Sequence, residues 1–178
     1  YTRPYTLSLH DALPIFQSHG YEVIFSGEKG YNGVAMASRI PIEEVVYGFG
    51  DGKEPGLSTR LIQAKVSGMW MINSYVPQGK SIDHPDYRLK LAFLDRIREL
   101  LTQRYDPSGK VVWMGDLNVA PTDRDVTDPG NKRDHVCFHQ TLKDVFARVT
   151  SWGLVDLFRK YRPGEGEFSF WDYRVKNA

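Results

Sequence analysis

Three short segments hold the side chains best suited to chemistry. The first is Gly115-Asp116-Leu117-Asn118, directly after the apolar run Val111-Val112-Trp113-Met114. Side chains at i and i+2 share one face of an extended chain, so Asp116 and Asn118 project together where such a strand leaves its sheet. A carboxylate there can accept a proton from water or hold a hard cation through oxygen. A carboxamide beside it can donate to a phosphate oxygen without adding a second negative charge. The alternative is local: Asp116 caps the next turn and Asn118 closes an Asx-turn, the commoner outcome for Gly-Asp-x-Asn alone. The second segment is Asn73-Ser74-Tyr75-Val76-Pro77-Gln78-Gly79, where a phenol ends a strand beside a loop stiffened by proline. Tyr75 could donate to an anionic oxygen, with Gln78 following. A half-buried packing role is the commoner fate of a tyrosine. The third is Ser169-Phe170-Trp171-Asp172-Tyr173-Arg174, whose aromatics could stack on a base or sugar while the arginine grips phosphate. In isolation an ordinary aromatic-rich strand is the better reading.

The elements that must position these groups follow from periodicity. Residues 20–25, 33–40, 59–66 and 69–75 read as strands, with Ser67-Gly68 as a hairpin turn. Alternation places Met69, Met71, Asn73 and Tyr75 on one face of the last of these. Asp83 is the expected N-cap of a helix over 85–104, with Tyr87, Leu91, Leu94, Leu101 and Tyr105 on its apolar side and Lys90, Asp95, Arg96, Arg98 and Glu99 at polar positions. The continuous apolar run 111–114 predicts a strand buried on both faces. A second amphipathic helix is expected over 140–152, with Leu142, Val145, Phe146 and Val149 on one side and Gly153 at its end. A helical turn at 154–162 then leads to a strand at 168–174. Residues 1–15 show no clear period and contain Pro4 and Pro14; no element is expected there, and they read as a leader of artefactual texture, foreign to the domain. Strands interleaved with helices, together with hairpin signals, predict a mixed α/β layered domain.

Composition bounds the function. The chain has 178 residues, 41% hydrophobic and 25% charged, which is a globular mixture large enough for one core. No apolar run is long enough to span a bilayer. One cysteine, Cys137, excludes an intramolecular disulfide framework and fits a reducing compartment, so a cytoplasmic location is expected. Cys137 itself reads as a buried hydrophobe. Lys plus Arg is 23 against 22 for Asp plus Glu, so any nucleic-acid binding must come from a local patch such as Arg60, Lys80, Arg88 and Arg174. The histidines form no zinc-ligand pattern; His135 and His139 read as surface residues, and His84 as opening the first long helix.

Taken together the segments resemble a known family. Tyr31-Asn32-Gly33-Val34-Ala35, Ser74-Tyr75-Val76-Pro77-Gln78-Gly79, Met114-Gly115-Asp116-Leu117-Asn118-Val119-Ala120-Pro121-Thr122-Asp123, Ser151-Trp152-Gly153-Leu154-Val155-Asp156 and Phe168-Ser169-Phe170-Trp171-Asp172-Tyr173-Arg174 occur in family order. They resemble exonuclease III, the abasic-site endonuclease branch of the endonuclease/exonuclease/phosphatase superfamily. Gly-Asp-x-Asn marks only the superfamily; the Trp-Gly-Leu-Val-Asp and Phe-Ser-x-x-Asp-Tyr-Arg segments point to the DNA-repair branch. The resemblance implies a four-layered α/β sandwich over residues 16–178. It also implies a Mg²⁺- or Mn²⁺-dependent phosphodiesterase, monomeric and without membrane attachment, acting on double-stranded DNA at abasic sites or 3′ ends. Asp116 would orient or deprotonate the attacking water or protonate the leaving oxygen. Asn118 would bind the phosphate, and both are the implied metal-side residues. Tyr75 would donate to the scissile phosphate. Tyr31, Asn32, Arg60, Gln78, Trp171 and Arg174 match DNA-contact positions.

The same resemblance implies what this stretch lacks. The family carries an asparagine strand and a metal-binding glutamate before the matched region, and an Arg-Ile-Asp-type strand and a Ser-Asp-His segment after it. A truncated domain that binds metal weakly and is inactive on its own is therefore expected, although its intact parent would be an enzyme. Two other readings stand beside the nuclease: a superfamily phosphatase or phosphodiesterase acting on a lipid or inositol phosphate, against which the Trp171 segment argues, and a non-catalytic DNA-binding module.

Overall fold

The computed structural model describes residues 9–27, 32–53 and 58–171. The chain forms two compact units. The first takes in Tyr1–Tyr75 and Lys110–Gly115, the second Val76–Gly109 and Asp116–Ala178.

The first unit begins with helix α1, Leu9–Ser18, where the sequence predicts no element. Pro14 is its sixth residue. The hydrogen bond that proline removes would go to the helix's second residue, so the loss falls near the helix start. The C-terminus is well closed. The Gly20 and Tyr21 amides donate to the carbonyls of Gln17 and Phe16, Gly20 has φ +76°, and the Phe16 and Tyr21 rings meet edge-on at 6.0 Å. That is a Schellman closure with its apolar contact.

Strands β1 (Glu22–Gly27) and β2 (Gly33–Ser38) form an antiparallel pair with Glu22 opposite Ser38. Four further strands, β3 (Ile42–Tyr47), β4 (Leu61–Val66), β5 (Met69–Tyr75) and β6 (Val111–Asp116), form a sheet in that order. β3–β4 and β4–β5 are antiparallel. The Ser67-Gly68 turn has φ +50° and +71°, the paired positive values that suit a two-residue hairpin. The amides of Trp70 and Val76 donate to the carbonyls of Lys110 and Asp116 at 2.9 Å. The sequence offset is the same at both, so β5 and β6 run parallel. The α/β class with mixed strand pairing is therefore present.

The first unit's core explains which strands were legible. Leu61, Ile62, Gln63 and Ala64 are fully buried in succession, as a central strand requires. Ile62 and Ala64 pack with Ile24, Val34 and Met36, and Tyr75 and Met114 lie against that cluster. Gln63, buried among apolar neighbours, donates through Nε2 to the Gly48 carbonyl at 2.6 Å. Ser74 accepts from the Trp113 indole at 2.9 Å. β3 was not visible in the sequence because Glu43 and Glu44 interrupt its apolar alternation. The two strands nevertheless pair through a register shift between Ile42 and Glu44, and Glu43 reaches Lys65 at 3.8 Å. β4 begins two residues later than expected, because Ser58–Arg60 form a single 3₁₀ turn. β6 is half-buried rather than covered on both faces, with only β5 beside it among the described residues.

The second unit is helical. α2 spans Pro85–Arg104 as expected, but His84 caps it in place of Asp83: its Nδ1 accepts from the Asp86 amide at 3.1 Å. Its buried side chains are Tyr87, Lys90, Phe93, Leu94, Ile97, Leu100 and Leu101. Lys90, assigned to the polar side from its type alone, thus sits on the buried stripe. α3 (Gln140–Thr150) buries Leu142, Val145 and Val149 and packs on α2. α4 is the short helix Leu157–Tyr161, capped by the Asp156 carboxylate, which accepts from the Arg159 amide at 3.0 Å. The expected strand at 168–174 is not present in its described part, residues 168–171.

One glycine is forced by close approach. Gly115 has φ +119°, and a Cβ there would lie 2.1 Å from the Ser74 carbonyl oxygen and 2.6 Å from Asn73 Oδ1. Gly115→Ala is expected to destabilise the first unit by about 3 kcal/mol. Urea unfolding followed by tryptophan fluorescence measures this, and an unshifted midpoint would contradict it.

Candidate active site

Within the first unit, Arg60 gathers two of the predicted residues. It ends the 3₁₀ turn before β4, which aims its guanidinium at the end of β5. Nη1 donates to the Tyr75 carbonyl at 3.3 Å, Nη2 donates to Asn32 Oδ1 at 2.5 Å, and the guanidinium carbon lies 4.6 Å from the centre of the Tyr75 ring. Asn32, Arg60 and Tyr75 thus form one cluster in which a fixed positive charge stacks on the phenol ring. Asn73, two residues before Tyr75 on the same strand face, is used structurally: its amide donates to the Ala35 carbonyl at 2.9 Å.

Within the second unit, the Asp116-Leu117-Asn118 turn is held by several bonds. Asp116 is exposed, and its Oδ1 accepts from the Asn118 amide at 3.1 Å. The local Asx-turn is present, and it leaves the second carboxylate oxygen without a bond from the described residues. Asn118 has φ +50°, a left-handed conformation asparagine tolerates. Its Nδ2 donates to the Val76 carbonyl at 3.0 Å, while the Val76 amide donates to the Asp116 carbonyl at 2.9 Å. Gln78 lies on the next loop; its Oε1 accepts from the Lys80 amide at 3.0 Å, and its Nε2 is buried without a hydrogen-bond partner.

The residue that joins these pieces was missed by sequence reasoning. Lys90 is fully buried, and its ammonium donates to three backbone carbonyls on three loops: Gln78 at 3.1 Å, Asn118 at 2.7 Å and Val136 at 2.7 Å. Cys137 Sγ is 3.7 Å away. Burial lowers the Lys90 pKa from 10.5 to about 8, and the nearby thiol and Asp116 carboxylate oppose the shift. A signal for this was available. Tyr87, Lys90, Leu94, Ile97 and Leu101 repeat at three- and four-residue steps, so the lysine stands within the apolar register rather than outside it. Cys137 is buried as expected, but in a polar setting, with its thiol donating to Asn118 Oδ1 at 3.8 Å. The two histidines read as surface residues are half-buried. His135 Nδ1 accepts from the Cys137 amide, and His139 hydrogen-bonds the Tyr87 hydroxyl.

A second knot holds the aromatic segment. Asp125 is buried and receives the Thr122 amide and hydroxyl at 2.8 and 2.6 Å, Arg159 Nη2 at 2.5 Å and the Ser169 hydroxyl at 2.5 Å. Burial pushes its pKa up, but the bonds from Ser169, Thr122 and Arg159 outweigh that and hold the carboxyl below its ordinary 3.8. The Asp125 carbonyl also accepts from the amides of Ser169 and Phe170. The chain is thereby fixed one residue before Trp171, which is 47% exposed. Tyr31 and Arg174 lie outside the described residues.

The donor set limits how a cation could be held. Among the described residues no group of three or more His, Cys, Asp or Glu side chains could hold a metal ion. Asp116 offers one carboxylate oxygen. Mg²⁺ is commonly bound by one or two carboxylates with waters and substrate phosphate completing the shell, so Asp116 with the Asn118 carboxamide suits a shared cation rather than an all-protein cage.

Comparison with known proteins gives a consistent result. A model of the Endonuclease/Exonuclease/phosphatase family matches residues 2–175. Exodeoxyribonuclease III of Haemophilus influenzae is 31% identical over 180 residues, covering 93% of this chain and 67% of that protein. A solved abasic-site (AP) endonuclease from Archaeoglobus fulgidus superposes with a TM-score of 0.85 at 44% identity, covering 91% of this chain and 62% of that one. The 3′ phosphatase NExo from Neisseria, bound to product DNA hairpin, superposes with a TM-score of 0.82 at 30% identity over 90% of this chain and 62% of its own. The chain thus spans about three fifths of the solved relatives it matches. No described helix is long and apolar enough to cross a membrane.

Lys90→Met would remove the donor from three loop carbonyls, the Val136 one buried, and is expected to cost about 3 kcal/mol, read as a lowered urea midpoint. Asp125 gives a pH signature. Its folded pKa is depressed, so its stabilisation is complete above 3.8 and is lost as pH falls below that value. Asp125→Asn is expected to be less stable at neutral pH and to show a shallower loss on acidification; parallel pH–stability curves would contradict this.

Proposed function

Because the chain belongs to the Endonuclease/Exonuclease/phosphatase family, we propose that it carries the phosphate-handling residues of a divalent-metal-dependent DNA phosphodiesterase of the exonuclease III type. Such an enzyme trims a strand from its 3′ end and cuts beside abasic sites. What supports the reading most is the Asp116–Asn118 turn, an exposed carboxylate kept at a fixed angle by its neighbour's amide and by the bonds that hold Asn118. The AP endonuclease and DNA-bound 3′ phosphatase among the similar structures favour DNA over a lipid or inositol phosphate.

In this reading Asp116 takes a proton from, or orients, the water that attacks phosphorus, using the oxygen that Asn118 does not occupy. The phosphorus–oxygen ester bond breaks on the side opposite the new one, and the leaving oxygen takes up a proton. Asn118 positions the phosphate. The Tyr75 phenol donates to a phosphate oxygen, with the Arg60 guanidinium beside its ring adding positive potential. Asp116 and the Asn118 carboxamide would be the residues to hold Mg²⁺ or Mn²⁺, which would supply Lewis-acid polarisation of the phosphate. Asn32 and Gln78 contact the DNA backbone, and Trp171 stacks in the nucleotide region.

Fluorescence anisotropy with a labelled duplex carrying an abasic analogue tests the reading. Binding is expected to weaken with salt, to resist competition by inositol phosphates, and to fall about tenfold in Arg60→Ala. Calorimetric titration with Mn²⁺ is expected to give weak binding whose heat disappears in Asp116→Asn. Equal displacement by inositol phosphates, or metal binding indifferent to Asp116, would overturn it.

A further inference from the structure

We propose that Cys137 and Lys90 form a reversible, peroxide-dependent cross-link, a sulfenamide joining Sγ to Nζ. The two atoms are 3.7 Å apart, both residues are buried, and both atoms also touch Asn118. The chain has one cysteine, so a sulfenic acid formed there finds no second thiol within the molecule. A buried sulfenic acid then condenses with an adjacent nitrogen or is oxidised further. The Lys90 nitrogen, 3.7 Å from Sγ, is the side-chain nitrogen within reach of it. Asn118, which accepts the thiol hydrogen through Oδ1, is only half-buried, so solvent is one side chain away from the sulfur.

The chemistry balances with hydrogen peroxide as the only co-reactant. The Cys137 sulfur attacks peroxide; a sulfur–oxygen bond forms, the peroxide oxygen–oxygen bond breaks, and water leaves. Sulfur is oxidised by two electrons and peroxide is reduced. The Nζ lone pair then attacks sulfur; a nitrogen–sulfur bond forms, the sulfur–oxygen bond breaks, and the hydroxide leaves as water with a proton from nitrogen. The chain ends two hydrogens lighter. An added thiol attacks the sulfenamide sulfur and returns both side chains.

The link would draw Nζ away from the carbonyls of Gln78 and Asn118, loosening the turn that presents Asp116. That consequence rests on the function proposed above, but the cross-link itself does not. The test reads mass alone. The reduced chain is treated with hydrogen peroxide, denatured, alkylated and digested. A peptide pair joining Lys90 to Cys137, two hydrogens below the summed masses, resistant to cleavage after Lys90 and resolved by dithiothreitol, is expected. It should be missing from Cys137→Ser, whose circular dichroism checks the fold. Alkylated Cys137 after treatment, sulfinic acid at Cys137 with unmodified Lys90, or a link to another lysine would each overturn the proposal.

Discussion

The second unit depends on one buried charge. Placing an ammonium where it meets no water costs several kcal/mol unless its hydrogens find acceptors, and Lys90 finds three. The carbonyls it binds belong to loops that no helix or sheet ladder satisfies. Each partner therefore needs the other: without the lysine three loop carbonyls lose their donor, and without the carbonyls the ammonium cannot be buried. The position of Asn118, and with it the direction of Asp116, follows from that mutual requirement. Residual desolvation remains, which is why the amine releases its proton more readily than an exposed lysine.

Asp125 plays the matching part with the opposite sign. A buried carboxylate accepts from Thr122, Ser169 and Arg159, and its backbone carbonyl takes two more amides. The described part of the aromatic segment, residues 168–171, is held there without being a strand. In the first unit the comparable device is Arg60, which spans Asn32 and the end of β5. All three groups tie irregular segments to their surroundings through charge-assisted hydrogen bonds, a class stronger than neutral ones. The candidate chemistry sits in loops that these bonds make rigid.

The sequence made the periodic elements legible and left the knots hidden. Met69–Tyr75, Pro85–Arg104 and Gln140–Thr150 are set by alternation or by helical spacing, and the structure has them where the pattern puts them. β3 escaped because two adjacent glutamates mask a strand that depends on pairing with β4 rather than on its own pattern. The helix Leu9–Ser18 is hidden because Pro14 reads as a breaker, whereas its cost is small near a helix start and Gly20 closes the other end. Lys90 escaped for a different reason. Residue type outweighed position, although the apolar register around it already implied burial. The family motifs named Asp116, Asn118 and Tyr75, but nothing in them identifies the lysine that holds two of their loops.

The account turns on whether Lys90 is a buried, hydrogen-bonded amine. Titration of its ¹³Cε resonance in chain labelled at lysine tests this directly. A midpoint near 8 is predicted for one lysine, assigned to Lys90 by its loss in Lys90→Arg. All lysines titrating together near the ordinary value of 10.5 would contradict the account.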